Sequence, residues 1–264
     1  MSHEFFTPIH IDEDIMAVSK AHGLHVIPDR YGKESLILIN ILREIYGEII
    51  PVHRLDAGTG GLIIFARNAK AHKFLCSRFE NRLVKKTYLA LTKGIIHPQT
   101  LMLPIGKGNH GKFKINFKSG KPAVTTFIPL TIGDKGSLIE AMPLTGRTHQ
   151  IRVHLKALKA PLYDDWLYNK PQSTEGNQAE LKAYEHLHSH RPNNANSEFQ
   201  SAKSRSNDDW LYNKPQIDRR LTLFAQKITF THPSTGKNIT LSAPLSPFMK
   251  ERAEILGLSV ENVL

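Results

Sequence analysis

The stretch HRLDAGTGGL, residues 53–62, sets an arginine and an acid directly before a glycine-rich turn and between two short apolar runs. Polar side chains on loops at strand ends are frequent positions for binding and catalytic residues. The alternative is a plain hairpin turn in which Asp56 bonds to the backbone, as aspartates in turns often do. By itself the stretch leaves a functional site and an ordinary turn as open alternatives.

A second stretch, KKTYLAL at residues 85–91, has the alternation that is typical of a strand. On a strand, Lys86 and Tyr88 project to one face, while Lys85 and Thr87 project to the other. A tyrosine flanked by lysines can stack on a nucleic-acid base while the ammonium groups bind phosphates. A tyrosine on an ordinary amphipathic strand is the alternative interpretation.

A third stretch, LTGRTHQIRVHL at residues 144–155, predicts a helix over residues 147–159. In such a helix Ile151, Leu155 and Leu158 face the core. Residues three and four apart share a face, and the side chains expected together on the polar face are His149, Arg152, Lys156 and Lys159. An ordinary basic amphipathic helix without a site would show the same pattern.

Positive charge is concentrated around these three stretches. The net charge is +11, and residues 51–160 hold 19 lysines and arginines against four acids. Residues 1–50 hold four against eight, and residues 161–264 hold 12 of each. Such a concentration is typical of proteins that bind the phosphates of nucleic acids. A solvated basic surface is the alternative, and it is less favoured because the same segment carries the three stretches.

The wider pattern predicts the fold class. Short strand candidates dominate, and helices are interspersed without the regular alternation of βαβ units. This pattern predicts an α+β fold with a central, largely antiparallel or mixed sheet and flanking helices. Asn68 is expected to cap one helix, and Pro247 is expected to begin the last one. A single domain over residues 1–264 accounts for this length.

One segment departs from the rest of the chain. Residues 173–207 are rich in serine, asparagine, glutamine and glutamate and poor in apolar side chains, which predicts a disordered insert. The segment lies between two copies of DDWLYNKPQ, at 164–172 and 208–216. Nine identical residues that include a tryptophan and a tyrosine indicate a duplication. One copy is expected to occupy the original structural position, and the sequence leaves open which.

Several classes of protein are disfavoured. No apolar run approaches the roughly 20 residues of a membrane-spanning helix, and the acidic N-terminal stretch lacks the pattern of a signal peptide. A cytoplasmic protein without a membrane partner is therefore expected. The single cysteine, Cys76, excludes a disulfide framework and a cysteine metal cluster. Phosphate-loop and helical zinc motifs are absent, so we expect no cofactor and no metal ion. Nothing in the sequence demands more than a monomer.

Taken together, the three stretches resemble the motifs of the RluA family of pseudouridine synthases. The resemblance extends upstream to IMAVSKAHGL at 15–24 and downstream to strands near 223–225 and 243–245. It therefore covers nearly the whole chain outside the polar insert.

The chain departs from the family pattern at a few positions. Gly60 stands where serine is common and is expected to loosen the turn after Asp56, and Ala21 stands where proline is common. The turn that usually reads G-D-x-x-Y-G is here part of YDDWLYN, at residues 163–169.

The resemblance implies the pseudouridine synthase fold, without an S4-like RNA-binding module, and an isomerase that converts uridine in rRNA or tRNA to pseudouridine. Asp56 matches the family's essential carboxylate. Arg152 matches the arginine that pairs with it, and Tyr88 matches the tyrosine that stacks on the target base. That base has to leave the helical stack. Arg54 matches the arginine that enters the vacated space, and His53 is expected to assist.

Further contacts with RNA are expected from the same three stretches. The residues expected to bind RNA are His53, Arg54, Lys85, Lys86, Arg147, His149 and Ile151, the last as an apolar wall near the base. The alternative is a non-catalytic RNA-binding protein that uses the same basic groove. Such a protein would not need Asp56, because an acid is unfavourable where phosphates bind. The presence of Asp56 therefore favours the enzyme.

Overall fold

The computed structural model describes residues 4–28, 36–109, 111–169 and 220–260. The polar segment predicted at 173–207 and the second copy of the repeat lie outside these ranges. The first copy of the repeat is described as far as Asn169.

The described elements alternate irregularly between strands and helices. The helices are α1 (Leu38–Tyr46), α2 (Ala69–Glu80), α3 (Gln150–Ala157) and α4 (Pro247–Ile255). The strands in the first half are β1 (Phe6–Ile11), β2 (Ile15–Lys20), β3 (Ile50–Pro51), β4 (Gly60–Ala66), β5 (Lys85–Thr92) and β6 (Gln99–Met102). The later strands are β7 (Ile105–Lys107), β8 (Phe113–Ile115), β9 (Val124–Gly133), β10 (Gly136–Pro143), β11 (Leu223–Thr231) and β12 (Asn238–Ser242). No helix in the described ranges is long and apolar enough to cross a bilayer.

A ten-stranded mixed sheet forms the centre of the fold. Its main path runs β1-β2-β4-β11-β5-β10-β9-β6, with β3 paired to β4 and β12 paired to β11. Among the described strands, β4 and β11 form the one parallel pair, and the other pairs are antiparallel. The predicted α+β class with a largely antiparallel or mixed sheet is confirmed.

The parallel pair depends on a glycine. Gly61 has a φ of +101°, and a Cβ built on it would lie 2.2 Å from the Ala225 carbonyl oxygen. Only a residue without a side chain fits at this spacing. β11, from the far end of the chain, therefore packs directly beside the start of β4. The backbone of Leu221 also bonds to the carbonyl of Gly58, at 2.8 Å.

Apolar side chains are buried on both faces of the sheet because successive residues of a strand point to opposite sides. On β2, Ile15 and Ala17 join the core beneath α2 and α4, whereas Met16 and Val18 join the core beneath α1. A third cluster packs α3 onto β9 and β10. The sheet is therefore covered on both sides and provides a rigid base for the loops at its edge.

Two predicted helix starts are confirmed. The Asn68 side chain accepts a hydrogen bond from the backbone N–H of Ala71 and so caps α2. Pro247 occupies the first turn of α4, which Ser246 caps. Both caps satisfy backbone donors that a helix leaves unpaired at its N-terminus.

The predicted helix over 147–159 is wrong at both ends. α3 begins only at Gln150, and His149 precedes it with a left-handed φ of 56°. The Gln150 side chain accepts hydrogen bonds from the Thr145 hydroxyl at 2.7 Å and the Arg147 N–H at 2.9 Å, which folds the preceding residues into a turn. Lys159, with a φ of 59°, lies beyond the other end. His149 and Lys159 therefore do not share the helical face predicted for them.

Hydrogen bonds to Asp12 connect the β1–β2 turn to the β11–β12 hairpin. Asp12 accepts hydrogen bonds from His10 at 2.6 Å and from His232 at 3.0 Å. It also accepts the backbone N–H groups of Asp14 and Ile15, both at 2.8 Å. Burial alone would raise the pKa of Asp12, but these four bonds lower it to about 2.

Asp12→Asn should lower the stability of the fold at neutral pH and cost less as the solution becomes acidic. A carboxyl whose pKa is lower in the folded state stabilises that state above its unfolded pKa of about 3.9, and the contribution disappears as pH falls towards the folded value. Thermal unfolding of the wild type and the variant, from pH 7 down to about pH 2, measures this. A difference in melting temperature that stays constant across the range would contradict the assignment.

Candidate active site

Asp56 lies in the loop between β3 and β4, four residues before β4 begins. Its own carbonyl accepts the backbone N–H of Thr59 at 3.0 Å, which closes a tight turn. Its carboxylate is 24% exposed, at the wall of a cleft. The acid is therefore fixed in place and still open to a ligand.

Gly60 also makes a close contact that the sequence did not indicate. A Cβ at this position would lie 2.4 Å from the imidazole of His22. The His22 ring pairs with the Gly58 carbonyl at 3.0 Å and with the Ser246 hydroxyl at 3.1 Å. The missing side chain thus makes room for a histidine that ties the turn after Asp56 to the start of α4.

Arg152 is shared between two carboxylates. Its Nη1 lies 3.2 Å from Asp56 Oδ2. Its Nε and Nη2 donate to the two oxygens of Asp165, at 2.8 and 2.9 Å. Burial would lower the pKa of Arg152, but Asp165 and Asp56 together raise it above its ordinary value. The guanidinium is therefore a fixed positive charge in direct contact with Asp56.

Asp165 and Tyr168 also belong to the site, although neither was predicted from the sequence. Asp165, 1% exposed, also accepts the backbone N–H groups of Leu167 and Tyr168, both at 3.0 Å. The Arg152 guanidinium lies 5.0 Å from the centre of the Tyr168 ring. The family pattern G-D-x-x-Y-G held the signal, because Asp165 and Tyr168 occupy its aspartate and tyrosine positions. Both belong to the first copy of the repeat.

β5 supplies part of the lining of the cleft. Lys86 and Tyr88 both line it, as expected for residues two apart on a strand. Burial, and the nearby charge of Asp56, raise the pKa of Tyr88 above its ordinary value, so the phenol stays neutral. Ile151 and Leu223 add apolar surface to the same cleft.

His149 connects Asp56 to Tyr168. Its Nε2 is 3.7 Å from Asp56 Oδ2, and its Nδ1 is 2.9 Å from the Tyr168 hydroxyl. Burial lowers the pKa of His149 to about 4, although the charge of Asp56 opposes this shift, so the ring is neutral at physiological pH. The Tyr168 oxygen also accepts the Phe113 N–H, so His149, Tyr168 and Phe113 are joined by hydrogen bonds beside Asp56.

Positive charge surrounds the mouth of the cleft. Arg54 and Arg147 line it, and the Arg147 Nε donates to the Pro122 carbonyl at 3.0 Å. Beside them is a lysine-rich hairpin, residues 105–121, built on β7 and β8. Its lysines are Lys107, Lys112, Lys114, Lys118 and Lys121, and it contains no acid. Phe113 attaches this hairpin to the site through its bond to Tyr168 and its edge-on contact with the His149 ring.

The structure brings most of the predicted site residues together. Those that line the cleft are Arg54, Asp56, Lys86, Tyr88, Arg147, His149, Ile151 and Arg152. His53 and Lys85 are not among its lining residues. Lys85 is exposed on the other face of β5. His53 accepts the Ile64 N–H at 3.0 Å and stacks on Phe79, and burial lowers its pKa to about 3. Its contacts are therefore those of a neutral, structural histidine.

The class of protein follows from comparison with known proteins. Residues 14–157 match the family model described as RNA pseudouridylate synthase. The fold is similar to that of human RNA pseudouridylate synthase domain containing 4, with a TM-score of 0.66 at 22% identity over 97% of this chain and 94% of that one. The class is therefore that of RNA pseudouridine synthases.

Curated relatives indicate the family within this class. An uncharacterised RNA pseudouridine synthase of Mycoplasma genitalium is 30% identical over 96% of this chain and 71% of its own length. The dual-specificity RNA pseudouridine synthase RluA of Escherichia coli is 28% identical over 88% of this chain and 90% of its own length. The chain belongs to the RluA family of RNA pseudouridine synthases. It is an isomerase that converts uridine in RNA to pseudouridine.

Asp165→Asn should destabilise the fold far more than the same substitution at its neighbour. Asp165 neutralises a buried guanidinium, and breaking a buried ion pair costs roughly 3 kcal/mol or more of unfolding free energy. Asp164 pairs with Arg252 at 2.9 Å, and both side chains are about a quarter exposed although the two joining atoms are buried, so Asp164→Asn should cost less than Asp165→Asn. Urea unfolding of both variants measures the difference. Equal losses would mean that Asp165 is not the main partner of Arg152.

Proposed function

We propose that this enzyme modifies uridines in structured ribosomal or transfer RNA, with Asp56 as the reacting carboxylate. The observation that carries the proposal is the contact between Asp56 and the buried Arg152 at the wall of an open cleft. An ionised acid in a partly closed pocket needs such a partner, because burial otherwise favours its neutral form.

The reaction exchanges one bond of the uridine for another. The N1–C1′ bond breaks, the uracil turns, C5 bonds to C1′, and the proton on C5 is lost while N1 gains one. In this proposal Asp56 either attacks the sugar at C1′ or removes a proton from the sugar to form a glycal-type intermediate. Arg152 pairs with the carboxylate and orients it in either case. The overall reaction is an isomerisation, with no net hydrolysis and no redox change.

Tyr88 and Ile151 are the proposed base-binding surfaces. Tyr88 offers an aromatic ring on which the uracil stacks, and Ile151 offers an apolar wall. An enzyme that acts on a base has to take it out of the helical stack. Arg54, two residues before Asp56 and exposed at the mouth of the cleft, is the proposed side chain that fills the vacated space.

Phosphate contacts are proposed for the basic residues around the mouth. Lys86, Arg147 and the lysine-rich hairpin surround the cleft with positive charge, and contacts of this kind fix the register of the RNA without reading its sequence. We further propose that the enzyme acts in the cytoplasm and as a monomer. In support, residues of one chain supply both the Asp56–Arg152 pair and the walls of the cleft.

Asp56→Asn should abolish pseudouridine formation while it leaves RNA affinity within about threefold of the wild type, because it removes the reacting group with little change of shape. Pseudouridine mapping on total cellular RNA and a binding titration measure the two effects. Asp134→Asn is the matched control, since it removes an exposed acid from the same basic segment and should keep full activity. Turnover by Asp56→Asn above about a tenth of normal would refute the catalytic role of Asp56.

RNA affinity should fall steeply with salt. If about six lysines and arginines contact phosphates, the slope of log K against log salt should lie near −4 to −5. Lys114→Gln, in the exposed part of the hairpin, should reduce the slope by about one contact. Binding measured at several salt concentrations provides the slope. A flat response would mean that the basic segment is a solvated surface and not an RNA-binding one.

A further inference from the structure

His22, two residues after the end of β2, joins the turn that carries Asp56 to the start of α4. Its Nδ1 lies 3.0 Å from the Gly58 carbonyl oxygen, and its Nε2 lies 3.1 Å from the Ser246 hydroxyl. Gly58 belongs to the same tight turn as Asp56, residues 56–59, and Ser246 is the N-terminal cap of α4. The imidazole therefore bridges the candidate catalytic turn and a helix none of whose described residues lines the cleft.

The chemistry of the partners determines the direction of these bonds. A carbonyl oxygen can only accept, so the His22 Nδ1 carries a proton and donates it to Gly58. In the neutral ring, Nε2 then accepts the hydroxyl proton of Ser246, whose oxygen accepts the backbone N–H of Met249 at 3.3 Å. A continuous series of hydrogen bonds thus runs from the first turn of α4 to the carbonyl two residues after Asp56.

The Gly58 carbonyl is also the point where another distant segment reaches the turn. It accepts the backbone N–H of Leu221 at 2.8 Å, just before β11 begins. A carbonyl oxygen has two lone pairs, and the donors from His22 and Leu221 account for both. The position of this carbonyl is therefore set by residues that lie outside the turn.

A second carbonyl of the turn is held by the end of β2. The Ala57 oxygen accepts the Gly23 N–H at 2.8 Å and a hydrogen bond from Lys20 Nζ at 3.1 Å. The turn is thus attached to two separate elements of the fold, and His22 provides the attachment to α4.

Aromatic neighbours and one glycine determine where the ring lies. The imidazole stacks on Phe224, with ring centres 6.1 Å apart, and packs against Phe248, with ring centres 4.8 Å apart. Both phenylalanines belong to the core beneath α2 and α4. Gly60, unlike Gly61, does not have a left-handed φ, but a Cβ there would lie 2.4 Å from the His22 ring. The space that His22 occupies, and not the backbone conformation, therefore requires glycine at this position.

We propose that His22 is a positioning residue for catalysis, which fixes the Asp56 turn by donating to the Gly58 carbonyl, and that Gly60 is required because it makes room for this ring. The inference rests on the proposed catalytic role of Asp56. A displacement of about 1 Å at a reacting group can slow an enzyme by about a hundredfold. Loss of the bond to Gly58 should therefore slow the reaction itself, with a smaller effect on the binding of RNA.

The first test compares His22→Asn with His22→Gln in the full chain. The amide nitrogen of asparagine is bonded to Cγ, as Nδ1 is, and can still donate to Gly58, whereas the amide of glutamine reaches the position of Nε2 beside Ser246. His22→Asn should keep kcat within about threefold of the wild type, and His22→Gln should lower it about tenfold or more with KM for RNA within about threefold. Equal kcat values for the two variants would overturn the proposal.

Met249→Ala is the matched control for a general loss of stability. Met249 is fully buried in α4, and its truncation weakens the packing of this helix while the Met249 N–H and the His22 side chain stay in place. It should lower the melting temperature and keep kcat. A fall in kcat as large as that of His22→Gln would mean that weaker packing of α4 alone slows the reaction, which would contradict the positioning role.

The second test is a double-mutant cycle between His22→Ala and Gly60→Ala, measured by melting temperature and by kcat. With His22 present, the added methyl group displaces the ring, so Gly60→Ala should lower both quantities. In the His22→Ala background the space is free, and Gly60→Ala should lower neither further. Additive effects would overturn the inference that Gly60 makes room for His22.

Asp56→Asn, assayed in parallel, separates this inference from the proposed function. An active Asp56→Asn variant would overturn the proposed function, and with it the role of His22. An inactive Asp56→Asn variant beside a His22→Gln variant with normal kcat would overturn the role of His22 alone.

Discussion

The site depends on one buried guanidinium held between two carboxylates. Arg152 is 4% exposed and Asp165 is 1% exposed, so neither charge is shielded by water. Breaking such a pair is far more costly than breaking an exposed one. These pairs therefore hold three segments together: the N-terminal part of α3, the turn that follows α3, and the loop that carries Asp56. Once Arg152 is in place, the candidate catalytic acid has little freedom.

The sheet brings these parts together from distant regions of the chain. Asp56 precedes β4, Tyr88 lies on β5, and β11, which packs between these two strands, arrives from beyond residue 220. The close approach at Gly61 allows β11 to lie against the start of β4. A side chain at this one position would separate the strands beneath the cleft. The geometry of the site is thus a consequence of backbone packing as much as of its polar residues.

Much of the fold class and the centre of the site could be predicted from sequence. Alternation and capping residues identified the strands and helix starts, because these signals are local. The three motifs supplied Asp56, Tyr88 and Arg152, which do meet in one cleft. The N-terminal end of α3 could not be predicted in this way, because it depends on the Gln150 side chain, whose bonds to Thr145 and Arg147 compete with the regular helix.

Residues that act through long-range contacts were the ones that sequence reasoning missed. In the sequence, Lys20 looks like the polar end of an apolar strand. Its burial is seen only in the fold, where the Ala57 turn packs onto it. Asp165 lies in the turn after α3, 13 residues from Arg152, and its pairing with that side chain is a tertiary contact that local patterns do not reveal. His53 stands beside Arg54 in the sequence, yet its ring packs against Phe79 and does not line the cleft. Position in the chain gives little information about which neighbours a side chain will meet.

The pairing of Arg152 with two carboxylates, Asp56 and Asp165, has a consequence for the course of the reaction. In the proposed reaction the negative charge of Asp56 is consumed, whether the carboxylate bonds to the sugar or takes up a proton. A guanidinium paired with Asp56 alone would then lose its partner and be drawn elsewhere. Arg152 instead has two further bonds, both to Asp165, which do not depend on the charge of Asp56. The environment of the reacting acid therefore needs almost no reorganisation between reactant and intermediate, which is the property that makes a fixed polar site an effective catalyst.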